Sequence, residues 1–314
     1  MDSVNFGIYI PILFFVLYFI LEIQDLGICA VSVFISRNQE ENKAALGLLK
    51  PGFDGNEFWL LLGTIGLGVG TYGGICDCGM ITLILGAAGL GMLSRFAAPF
   101  FCNIFKSKIM MGLLSVLAII NVFVVGMVFF SLSEHKIFNF SLYTLLGCIW
   151  LIIISIQTGS LYGAVKVVNP LGERFRASSL VITPISLLTF LILAVYSFLS
   201  TNFMEGSQAL YVWGSIFSIL LLVVSFITLR MRKLWMGFLL GYLYQIIAIV
   251  AISFSVFFRI AGNNTGNGML TLGTELQYPL MVIGGIISGT VFIYRIVRKK
   301  EQYIWSDYLI KYNL

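Results

Sequence analysis

The chain has 314 residues, 59% hydrophobic and 11% charged, with mean hydropathy +0.98 and net charge +5. A soluble domain carries about 25% charged residues, so a water-soluble globule is excluded. A β-barrel is excluded as well, because stretches such as MMGLLSVLAIINVFVVGMVFF do not alternate polar and apolar residues. Apolar runs of this length are helices that cross a bilayer. The sequence reads as an all-α, polytopic membrane protein with one integral membrane domain over residues 1–314.

Hydropathy predicts nine spans near 7–36, 54–75, 77–102, 108–133, 139–165, 177–200, 208–230, 234–260 and 277–298. The first is too long for a secretory signal, and Asp2 is the only charge ahead of it. It contains FILEIQDLGICAV, which places Glu22 and Asp25 three residues apart on one helix face near mid-span. Charges inside a membrane are costly and mark functional positions by default. Two carboxyls so close in a low dielectric do not both ionise easily. They suit a proton relay, a cation site or a tight ion pair; a structural hydrogen bond to a neighbouring helix is the plainer alternative.

Next comes KPGFDGNEFW, residues 50–59. Pro51 stops any helix running through the loop. Asp54 and Glu57 then form a D-x-x-E pattern before an apolar run, which is a capping box in outline. Glu57 is read as a structural cap. Asp54 serves as a cap or as a proton entrance, and local sequence leaves both open.

Spans two and three are rich in glycine, and Gly66, Gly70 and Gly74 recur at the four-residue spacing of close helix packing. Arg95 is the one base inside the third span and is the charge-pair candidate for one of these acids; the alternative is an Arg snorkelling to the headgroups. The inner end of span five, SLYGAVKVVNPLGERFRASS, reads as a solvated loop whose bases set topology. AGNNTGNGMLTLGT at 261–274 reads as an outer loop.

Charge along the chain supports this count. Of the 19 Lys and Arg residues, all but Lys136 and Arg259 fall at one set of span ends. The positive-inside rule then puts the N-terminus outside and the C-terminus in the cytoplasm. The net positive charge reflects topology and attraction to anionic lipid, and calls for no nucleic acid. The five Cys have no regular spacing, and a single His, His135, rules out bis-His haem ligation within the chain. No Walker loop, dinucleotide fingerprint or nucleophile motif is present. The residues predict no redox centre, metal site or catalytic group in this chain.

The first third resembles subunit II of the cytochrome bd quinol oxidases. The matching residues are Glu22, Asp25, Leu26 and Gly27; then Arg37, Asn38, Glu40, Glu41 and Lys43; then Pro51, Asp54, Gly55, Asn56, Phe58, Trp59 and Leu60; and Arg95. Order and spacing both hold, strongly to about residue 110 and loosely beyond. Glu22 stands where the family more often has Asp, and the chain is short for the family.

The resemblance implies two four-helix bundles and a peripheral helix. It implies a heterodimer with a haem-bearing subunit I that holds two b-type haems and one d-type haem. Small accessory subunits, quinone and lipid are further expected partners. Quinol is the electron donor, oxygen is reduced to water, and the setting is a prokaryotic cytoplasmic (inner) membrane. Asp54 then matches the family's proton-entrance Asp, with Asp25 and Glu22 continuing inward. A proton-coupled secondary transporter is the rival reading, since buried acids with an Arg serve that purpose too. A purely structural assembly subunit is a third.

Overall fold

A computed structural model describes residues 6–49, 56–70, 86, 89, 108–134, 139–167, 170–201 and 207–263. Within them the chain is helical throughout. The α-helices are α1 (Phe6–Ile35), α2 (Gln39–Gly47), α3 (Asn56–Gly70), α4 (Lys108–Ser131), α5 (Leu142–Lys166), α6 (Leu171–Ser200), α7 (Ser207–Arg230) and α8 (Leu234–Asn263). A 3₁₀ turn, Leu132–Glu134, follows α4. Among the described residues, six helices are long and apolar enough to cross a membrane, namely α1 and α4 to α8.

Local chemistry sets the helix ends. Asn38 caps α2 from an extended backbone, its side chain accepting from the Glu41 amide at 2.8 Å. Ser141 does the same for α5, accepting from Thr144 N at 3.2 Å. Between α7 and α8 the Lys233 amide donates to Thr228 O at 2.9 Å and the Arg232 amide to Leu229 O at 3.1 Å. That pair of bonds is a Schellman motif.

Two differences from the sequence reading concern segments read as loops. Residues 39–47 form α2, whose first-turn acids Glu40 and Glu41 suit the positive end of a helix. Residues 171–176 are not a solvated loop. They are the opening turns of α6, which starts before the predicted 177 because Pro170 precedes Leu171 and Phe175 is fully buried against the bundle. The predicted spans 77–102, apart from the helical Gly86 and Gly89, and 277–298 lie outside the described residues.

The hub is α1. It packs against α3, α4, α5 and α8, with α2 folded against its end. Of its most apolar window 78% is buried, against 33% for α6 and for α7, so those two present their outer faces to the surroundings. Helices in lipid gain little from the hydrophobic effect and associate by close packing. Here aromatic rings supply much of it. Phe129 meets Phe19 edge-on at 5.4 Å, Phe130 meets Tyr143 at 5.4 Å, and Phe190 meets Tyr244 at 5.8 Å.

Among the described glycines, the tightest contact is between α1 and α5. A Cβ on Gly27 would lie 1.8 Å from the Ser155 carbonyl oxygen, and one on Gly159 would lie 2.5 Å from the Gly27 carbonyl carbon. Only glycine permits main chain to rest on main chain in this way. The consequence is local to the acids: Asp25 is two residues from the contact, so the position of α5 sets the position of Asp25.

Candidate functional site

Four residues of α1 fall at i, i+4, i+7 and i+11 and therefore share a face: Tyr18, Glu22, Asp25 and Cys29. All four are buried. That face is turned to α3 and α4. Tyr18 donates its hydroxyl to Asn121 Oδ1 on α4 at 3.1 Å. One turn on, Glu22 Oε2 accepts from Asn56 Nδ2, the first residue of α3, at 3.1 Å. At the far end Ser115 Oγ of α4 donates to the Cys29 carbonyl at 2.8 Å. A polar seam thus runs along the middle of the bundle.

The Asn56–Glu22 bond fixes where α3 begins. About 20 Å of helix separates Glu22 from Ile35 at the end of α1. The first turn of α3 therefore sits beside the middle of α1, not beside its end. Glu57, in that same turn, is buried. Asp54 lies two residues before Asn56, and both Asp54 and the charge-pair candidate Arg95 lie outside the described residues. Of the residues predicted from sequence, the structure brings Glu22, Asp25 and the start of α3 together.

The buried carboxyls of Glu22 and Asp25 lie on one face of α1, and an amide of α3 donates to the first of them. Asn56, itself uncharged, donates to Glu22 and ties the first turn of α3 to it. Among the described residues no three of His, Cys, Asp and Glu converge as a metal site.

A second polar cluster ties the two halves of the chain. Arg174, in the first turn of α6, donates through Nη1 to the Ile35 carbonyl at 2.7 Å and pairs through Nη2 with Glu41. The other oxygen of Glu41 accepts from the Arg37 amide at 2.7 Å. One guanidinium thereby closes the C-terminus of α1 and anchors α2. At the opposite end of the bundle Arg259 lies over the Tyr143 ring, 3.9 Å from its centroid, and donates through Nε to Thr201 Oγ1 at 2.9 Å. Tyr143 and Ser255 share a hydroxyl contact of 2.7 Å.

Tyr18, Asn121 and Arg174 were not singled out by sequence. Asn121 carried a usable signal, because it is a lone amide inside LAIINVFVV, where a polar group has the same cost argument as the acids. Tyr18 gave none, since tyrosine in an apolar run reads as packing. Arg174 was assigned to topology, and only the fold shows the α1 carbonyl that it closes.

Comparison with known proteins places the chain as a whole. The profile of a family described as cytochrome bd terminal oxidase subunit II matches residues 5–297. No curated protein matches the chain.

Proposed function

Because this chain belongs to the cytochrome bd terminal oxidase subunit II family, we propose that it carries cytoplasmic protons toward the oxygen-reducing site of a haem-bearing partner. Its part in a terminal oxidase complex follows from the family. The proton role is the further step. In this reading Asp54 takes up a proton that has entered from the cytoplasmic side, and Asp25 and Glu22 pass it along the polar face of α1. Reduction of oxygen to water consumes protons, and the haems and quinol of the partner supply the electrons. This chain contributes carboxyls and their alignment.

One observation carries the reading. The bond between Asn56 Nδ2 and Glu22 Oε2 joins the start of α3, directly after the Asp54–Gly55 pair, to the buried acids of α1. A cap serving α3 alone would need no such link. The asymmetry of Lys and Arg supports a cytoplasmic side for residues 37–50, and with it an inner-membrane setting.

Asp54→Asn tests the proposal. The variant complex keeps its haem absorption spectrum and its assembly, while oxygen consumption with quinol slows by about 100-fold, the lower range for loss of a proton-transfer group. Unchanged turnover removes Asp54 from the route and leaves a structural subunit as the better account.

A further inference from the structure

We propose that the turn between α7 and α8 binds the phosphate headgroup of an anionic phospholipid. The site is separate from the acids on α1 and stands whether or not they carry protons.

Arg230, Arg232 and Lys233 fall within four residues, and all three are exposed. Among the described residues none of the three side chains makes a hydrogen bond or an ion pair. Further positive charge approaches from the neighbouring helices. Arg176 of α6 donates through Nη1 to the Leu229 carbonyl at 3.3 Å, at the foot of α7. Lys166, at the end of α5, holds its ammonium 5.0 Å from the Trp235 ring centroid. Glu173, an acid of α6 on the same side, is already held by Arg176 at 2.7 Å.

The rim of the cluster is apolar. Met231, Trp235 and Met236 are 60%, 46% and 52% exposed. Cations bordered by exposed thioether and indole groups, at a turn joining two spanning helices, match a phosphate with acyl chains beneath it. A free anion would make no use of that rim.

Backbone conformation separates this turn from ordinary topology charge. Arg232 has φ 61, the one positive-φ residue other than glycine among the described residues. It occupies the position after the helix end where a Schellman motif usually has glycine. A base that only sets topology can stand anywhere in the loop. This one stands, exposed, in a left-handed conformation that L side chains rarely adopt, within the same four residues as Arg230 and Lys233.

The test uses the full chain in its purified assembly, reconstituted in nanodiscs of phosphatidylcholine with graded phosphatidylglycerol. Lipid retained after release into the gas phase is read by native mass spectrometry. The wild type retains phosphatidylglycerol over phosphatidylcholine by about 100-fold, the order expected from three bases near a headgroup. Arg232→Gly relaxes the backbone, so it folds at least as well and holds its melting temperature, while the preference falls severalfold. Arg230→Gln, which leaves the turn conformation alone, lowers the preference in the same direction. Equal retention of the two lipids by the wild type overturns the proposal, and so does an unaltered preference in both variants. Displacement of phosphatidylglycerol by millimolar inorganic phosphate overturns the assignment to lipid.

Discussion

At the scale of single residues, Glu22 and Asn56 make separable predictions. Glutamine in place of Glu22 keeps an oxygen that accepts from Asn56 Nδ2, so the bond at 3.1 Å survives while the titratable proton is lost. Glu22→Gln therefore melts like the wild type but turns over oxygen more slowly. Asn56→Ala removes the donor and leaves a buried carboxylate short of a partner, a loss of about 2 kcal/mol in stability as well as activity. Thermal melts and quinol-driven oxygen uptake, measured on both variants, distinguish the two. Equal melting temperatures would mean that the Asn56 bond contributes little. The acids were legible from sequence because a charge inside an apolar run is costly wherever it sits. Their partners were not, because Asn56 and Asn121 meet α1 across 34 and 103 residues of chain from Glu22 and Tyr18.

Between helices, glycine and arginine set the geometry. Gly27→Val would push a Cβ to within 1.8 Å of the Ser155 oxygen. Neither main chain can yield, so the expected loss is more than about 4 kcal/mol, seen as failed assembly or early thermal inactivation. Gly112→Ala is the control, since a Cβ there meets nothing within 4 Å. Its stability stays level or rises slightly, because alanine favours the helix.

The two arginines of α6 are expected to differ in the same way. Arg174→Ala leaves Glu41, whose side chain is 7% exposed, without its guanidinium and reopens the Ile35 carbonyl. Loss of one partner from a pair this buried costs about 3 kcal/mol. Arg176→Ala breaks an i,i+3 pair whose acid is 35% exposed, worth below about 1 kcal/mol. A thermal-shift series on the two variants gives the order directly. Hydropathy foretold α1 and α4 to α8 to within a few residues at nearly every end, since long apolar runs leave little choice in lipid. It did not foretell α2 or the early start of α6. Both are mixed in polarity, and both are helical because the bundle buries Ala45 and Phe175 on one side. The surroundings of Gly66, Gly70 and Gly74 lie outside the described residues; among those described, isolated glycines at 27 and 159 meet across helices, and no spacing in the sequence marks them.

Across the whole molecule, burial is uneven. Trp150 is 1% exposed and Trp59 is 4%, whereas Trp213 on α7 is 69%. With the chain in lipid brominated along its acyl chains, fluorescence from a variant retaining only Trp213 is quenched strongly. A variant retaining only Trp150 is quenched weakly. The reverse order would mean that α7 faces the interior and that the arrangement of helices needs redrawing. The apolar faces of α6 and α7 are thus surfaces for lipid or for a partner chain, and α1 is the most buried of the six spans described. Where main chain rests on main chain at Gly27 and Gly159, no rotamer exists through which the two helices could drift apart. An error of about 1 Å in the placing of reacting groups can slow a reaction by about 100-fold. The two glycines therefore act as a mechanical datum: α1 and α5 are held as one beam, and Asp25, two residues from Gly27, is held with them.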